Sequence, residues 1–162
     1  MTQSAENAAD TIFAGHLVSG PYERVFFEPG QELQYIRNYL DFFNGTVEYD
    51  FRIKEYFNLR VVGLQSPLGH VSLVAIGAED RKQLPVFIQE TRILFVVDSI
   101  DAVYRKAEAV GIPILQPRTE NIMGAQGRLE LAPGYIVELA EATNEGLFNP
   151  DVESMGLPPS RP

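Results

Sequence analysis

The sequence predicts an α+β fold made of two similar halves, each running strand, helix and then three strands. Three observations carry this. First, Gln31–Phe43 places apolar residues at Leu33, Ile36, Leu40 and Phe43, and Ser99–Val110 places them at Ile100, Val103, Ala107 and Val110. Both sets step by 3, 4 and 3, the spacing of one buried helix face. Second, each helix follows an apolar strand ending in an acid, Tyr22–Glu28 and Arg92–Asp98. Third, each half closes on a strand that opens with glycine, Gly69-His70-Val71-Ser72-Leu73-Val74 and Gly134-Tyr135-Ile136-Val137-Glu138-Leu139.

In chain order, Thr11–Ser19 reads as an extra N-terminal strand and a second candidate for opening the first half. Glu28 and Asp98 lie 70 positions apart while Leu33 and Ile100 lie 67 apart, so the first half holds three extra residues at its strand-to-helix turn, where Pro29 and Gly30 fall. Gly45 and Gly111 sit where a left-handed residue would stop each helix. Thr46–Phe57 alternates Val47, Tyr49, Phe51 and Ile53 against Glu48, Asp50, Arg52 and Lys54, a period of two with one buried face. Leu59–Gln65 and His70–Ile76 follow as strands, split by the turn Ser66-Pro67-Leu68-Gly69. Gly77–Thr91 is the linker region. Pro113–Pro117 and Gly127–Leu131 read as strands around a polar loop, Arg118–Ala125. The expected boundaries are a flexible tail at 1–12, a first unit at 13–78, a linker at 79–91, a second unit at 92–143 and a proline-bearing tail at 144–162.

Composition narrows the function classes. At 162 residues the chain suits one compact domain or two half-size units sharing a core, and 45% hydrophobic residues supply that core. No apolar run reaches the roughly 18 residues of a membrane span, and Met1–Asp10 lacks the basic and apolar parts of a signal peptide, so the expectation is a soluble, cytoplasmic protein. The absence of cysteine excludes disulfides and thiol chemistry. A formal charge of −9 without a local Lys/Arg cluster argues against nucleic acid or membrane as partner. No P-loop, dinucleotide-binding glycine turn or nucleophile elbow is present.

The order of Arg92–Asp98, helix, Gly111-Ile112-Pro113, hairpin and the strand Pro133-Gly134-Tyr135-Ile136-Val137-Glu138-Leu139 resembles the second half of the vicinal oxygen chelate superfamily. That superfamily includes glyoxalase I, the extradiol dioxygenases and the bleomycin-resistance proteins. The resemblance implies two βαβββ units forming an open, cup-shaped mixed sheet with helices on its outer face. It also implies a ligand cup, with metals held in many members by His, Gln or Glu on the first and last strands of each unit. Carried onto this chain, those positions fall on Tyr22, Leu73, Arg92 and Glu138, of which only Glu138 is a good donor. Arginine keeps its proton and is no ligand. The expectation is therefore no metal and no cofactor.

Two roles are open for these residues. Arg92 and Glu138 form an ion pair that plugs the metal position, or the pair reads a polar group of a ligand, since guanidinium presents paired planar donors. Tyr22, Leu73, His16 and Tyr49 complete the ligand-binding candidates, His16 counting only if Thr11–Ser19 opens the unit. Tyr49 and Tyr56 fall on opposite faces of their strand, so at most one of them lines the cup unless a bulge intervenes. The expected function is a metal-independent small-molecule-binding protein of the bleomycin-resistance type, holding an aromatic or apolar organic compound and forming a homodimer. The alternative is a lyase, isomerase or epimerase with Glu138 as catalytic acid/base, helped by His16 or a metal. A third reading is an interaction domain whose cup is filled by its own aromatic side chains.

Overall fold

The computed structural model describes residues 11–161; the predicted N-terminal tail, but for its last two residues, lies outside them. The elements run β1 (Leu17–Phe27), α1 (Gln31–Phe42), β2 (Thr46–Ile53), a 3-10 turn (Lys54–Tyr56), β3 (Leu59–Ser66), β4 (Gly69–Ala75), α2 (Ala78–Arg81), α3 (Val86–Gln89), β5 (Thr91–Val97), α4 (Ile100–Ala109), β6 (Ile114–Asn121), β7 (Gly124–Ala132) and β8 (Tyr135–Ala142). They form one eight-stranded mixed sheet in the order β2-β3-β4-β1-β5-β8-β7-β6. β1 pairs parallel with β4, β5 pairs parallel with β8, and the two βαβββ units join through antiparallel β1 and β5. The sheet curls into a half-barrel whose inner core draws Phe51, Leu59 and Val61 from one unit and Leu94, Met123 and Ala140 from the other. The two outer cores lie beneath α1 and α4.

The helices form where periodicity places them, and the structure shows how they start and stop. Ser99 caps α4 by accepting a hydrogen bond from Ala102 N, and Glu141 takes Ile100 N at 2.7 Å. Gly111, at φ 78°, ends the helix, with Ile112 N bonded back to Ala107 O. Ile100, Val103 and Ala107 are all fully buried. At α1 the left-handed stop is Asn44, at φ 52°, and not Gly45. Gly45 is needed for another reason: a Cβ there would meet the Tyr39 ring at 2.4 Å. The buried face of α1 runs through Glu32, Ile36 and Tyr39, leaving Leu33 and Leu40 half-buried. The final positions of both apolar sets, Phe43 and Val110, are exposed.

Four stretches differ from the sequence reading. The two candidate opening strands are one: β1 begins at Leu17, within Thr11–Ser19, and runs on through the Tyr22 segment with two register shifts against β5. The strand expected over Thr46–Phe57 ends at Ile53, and a bulge between Val47 and Tyr49 sends Val47 to the outer core and Tyr49 to the inner one. The polar loop Arg118–Ala125 is the tip of a long β6–β7 hairpin with Asn121 paired to Gly124. The linker folds into α2 and α3 and sets Leu84, between them, and Ile88 into the inner core.

Residues 144–161, read from their prolines as a tail, are tied at Asn144 to Met123 O of the second unit and then pack against the first. Asn149 N donates to Glu48 O at 2.8 Å, and Phe148 meets the Tyr49 ring edge-on at 5.8 Å, covering part of the β2 edge. Met155 is buried beside α1, and Arg37 Nε donates to Pro158 O at 2.8 Å.

Candidate functional site

Strand alternation decides which side chains face the cup. Along β1 these are Tyr22, Arg24 and Phe26, and along β4 they are His70, Ser72 and Val74. Arg24 is level with Ser72 across the β1–β4 pair, and Leu94 is level with Glu138 across the β5–β8 pair. The inward-facing side chains level with one another on these four strands are therefore Arg24, Ser72, Leu94 and Glu138. Of the expected set Tyr22, Leu73, Arg92 and Glu138, only Glu138 is among these four.

Each displacement has a physical reason. Gly69 pairs with Ser66, and Tyr135 pairs with Ala132, so the counterpart of Gly69 is Tyr135 and the counterpart of Glu138 is Ser72. A slip of one residue exchanges the faces, and Leu73 instead packs, fully buried, under α1. At β5 a register irregularity between Thr91 and Ile93 turns Thr91 inward and leaves Arg92 exposed, so the expected Arg92–Glu138 pair does not form. Tyr22 faces inward two residues too early to reach the cavity. Its hydroxyl donates to Glu48 at 2.6 Å and accepts from Gln65, and burial with the Glu48 contact pushes its pKa up to about 12. His16 lies in the turn before β1, where its Nδ1 stands 2.7 Å from Asp98, outside the cup.

Glu138 is instead gripped by two arginines. Arg128, its cross-strand neighbour on β7, donates from Nη2 to Oε1 at 2.7 Å. Arg24 reaches both carboxylate oxygens from Nη2, at 3.2 and 3.4 Å, and Ser72 Oγ at 3.4 Å. Arg128, only 2% exposed, spends its other nitrogens on Thr91 Oγ1, Gln116 Oε1 and Gln126 Oε1 at 2.8, 2.6 and 2.9 Å. Burial alone would raise the Glu138 pKa, but the charges of Arg128 and Arg24, with the Arg24 hydrogen bonds, hold it below the usual carboxylate value. A carboxylate so held is a poor proton acceptor near neutral pH, which counts against its use as a general base.

This arrangement does not fit a metal ion. Among the described residues no group of three or more His, Asp or Glu side chains converges, and the Glu138 carboxylate already faces two cations. Arginine offers no lone pair to a metal and repels one.

Above the charged cluster lies a narrow cavity of about 40 Å³, lined chiefly by apolar side chains such as Phe51, Leu59, Val61, Leu94 and Met123. It holds one to a few water-sized spheres, the smallest being about 10–15 Å³. Tyr49 and Tyr56 both line it, because the 3-10 turn after Ile53 brings Tyr56 round to the inner side. Tyr49 fills space opened by Gly63, where a Cβ would meet the ring at 2.3 Å, and its hydroxyl donates to Ser72 at 3.2 Å. Four lining residues, Ile53, Tyr56, Asn121 and Gln126, also wall a wider groove of about 560 Å³ between the 3-10 turn and the β6–β7 hairpin tip. That groove is the mouth of the cup.

Arg24 and Arg128 are the site residues that sequence reasoning missed. The signal for Arg24 was present: the one cation of the Tyr22–Glu28 strand, two residues from Tyr22 and so on the same face. Arg128 required knowledge that β7 lies against β8 in the register that sets it opposite Glu138.

Two results follow. Arg92→Ala is expected to leave stability within about 0.5 kcal/mol of the parent in urea unfolding, as for an exposed side chain free of buried partners. Because the Glu138 pKa is depressed by folding, its contribution is present above the unfolded carboxylate value and is lost as pH falls through the lower folded value. The parent should therefore lose more stability than Glu138→Gln on acidification below about pH 4.5, as read by urea unfolding at several pH values.

No family model matches the chain, and no curated protein matches it. Solved structures do. An uncharacterised protein from Methanosarcina mazei superposes with a TM-score of 0.59 at 20% identity, covering 78% of this chain and 94% of that one. Methylmalonyl-CoA epimerase from Mycobacterium tuberculosis gives 0.58 at 17% identity, covering 83% and 95%. Methylmalonyl-CoA epimerase from Streptomyces coelicolor gives 0.55 at 15% identity, covering 83% and 99%. At these identities the likeness establishes the fold.

Proposed function

We propose that this chain, which has the fold of the vicinal oxygen chelate superfamily, is a metal-independent small-molecule-binding protein that holds an organic compound in its cup. One observation carries the reading: a buried Arg24–Glu138–Arg128 cluster lies at the floor of an apolar cavity that shares four lining residues with a larger groove. A few placed polar groups in an apolar concavity are the usual make-up of a small-molecule site. The cavity takes a small head, and the mouth takes the body of the ligand. An acid/base role for Glu138 is less well supported, because its two cations hold it ionised.

Native mass spectrometry of freshly isolated protein tests this reading. The expected result is a co-purified organic molecule, or its release on denaturation, with no stoichiometric metal. Protein that carries no organic molecule and binds none from a broad fragment collection would contradict it and favour a cup filled by its own side chains. The same spectrum gives the subunit count. A homodimer, the expected count, would cover open half-sheet edges; one such seam is closed within the chain by β1 and β5.

A further inference from the structure

The charged floor of the cup does not balance. Three charged side chains line the cavity, Arg24, Arg128 and Glu138, so two positive charges face one negative. Arg128 has every nitrogen bonded to an acceptor. Arg24 does not. Its side chain is 5% exposed, yet only Nη2 finds acceptors among the described residues, and these bonds are long, at 3.2 to 3.4 Å. Its Nε is buried with no partner among the described residues. A buried cation with an open donor edge is costly unless something else completes it.

Resting on the binding reading above, we infer that the cup takes its ligand by a carboxylate, and that Arg24 is the anchor. A carboxylate brings the missing single negative charge and two coplanar acceptors that match a guanidinium edge. The cavity beside Arg24, about 40 Å³, suits so small a head, and its walls carry no further cation that a dianionic phosphate would need. The apolar or aromatic body then lies past Tyr56 and Ile53 into the mouth groove. Glu138 serves to hold Arg24 and Arg128 in place and does not itself meet the acid.

Thermal unfolding with matched probes tests the anchor: acetate against acetamide and benzoate against benzamide, at constant ionic strength. The acids are expected to raise the melting temperature saturably, benzoate at lower concentration than acetate, while the neutral amides do not. Arg24→Gln should weaken the response to acid about 10- to 100-fold, whereas Arg92→Gln should leave it unchanged. The acid–amide contrast uses the parent protein and so does not depend on how the variant folds. Amides that match the acids, or acids that act equally on Arg24→Gln, would overturn the anchor and leave the binding role of the cup standing. No shift from either acid up to about 10 mM would also overturn it; the wider reading falls only if isolated protein carries and binds no organic molecule.

Discussion

Replacing Arg128 with alanine is expected to destabilise the protein by about 3–5 kcal/mol, the scale of breaking a buried ion pair from one side. Arg128 is the satisfied partner. Its loss would leave Glu138 with only the long Arg24 contacts and would strip the donor from Thr91, Gln116 and Gln126. Arg24→Ala should behave differently. Glu138 would keep its 2.7 Å bond to Arg128, and the cavity would lose the one charge it does not balance. That change should cost less than about 1 kcal/mol or be mildly stabilising. Urea unfolding of the two variants side by side measures the contrast. A larger loss for Arg24→Ala than for Arg128→Ala would mean that Arg24, not Arg128, is the structural partner of Glu138.

Val103→Asp is expected to unfold the second unit. Val103 is fully buried at the centre of α4, among Ile100, Ala107, Leu129, Val137 and Leu139. The side chains that make up this cluster are apolar. The change gives up about 1.5 kcal/mol or more of apolar burial and adds a desolvated charge, for a total of about 4 kcal/mol or more. Because β5 of the second unit also pairs with β1 of the first, the loss should reach the whole sheet. Circular dichroism and urea unfolding should show a protein that is unfolded or close to it. Parent-like stability would mean that this face of α4 does not carry the second core.

Much of the fold was legible because its largest elements depend on local pattern. The 3.6-residue spacing located α1 and α4, and the repeat of strand, helix and closing strand located both units. What escaped depends on partners distant in sequence. The bulges at Val47–Tyr49 and Thr91–Ile93 reverse alternation without any glycine or proline to mark them. The same effect moved the site. Glu138 was readable from its place in the last strand, but the choice of Arg92 assumed regular alternation across Thr91. The choice of Leu73 assumed that Gly69 and Gly134 were equivalent, when the turn before β8 sets Tyr135 opposite Ala132. The prolines after residue 144 suggested a free tail, yet Phe148, Met155 and Leu157 supply enough apolar surface to hold that segment against the first unit.

The most direct measurement is equilibrium dialysis against Zn, Mn, Ni and Fe(II), followed by metal analysis of the parent and of Glu138→Gln. With Arg24 and Arg128 facing Glu138, the only carboxylate among the described residues that line the cavity, neither protein should retain stoichiometric metal, and binding of any co-purified organic molecule should be indifferent to a chelator. Stoichiometric metal in the parent that is lost in Glu138→Gln would contradict metal-independent binding and return Glu138 to service as a ligand in an enzyme.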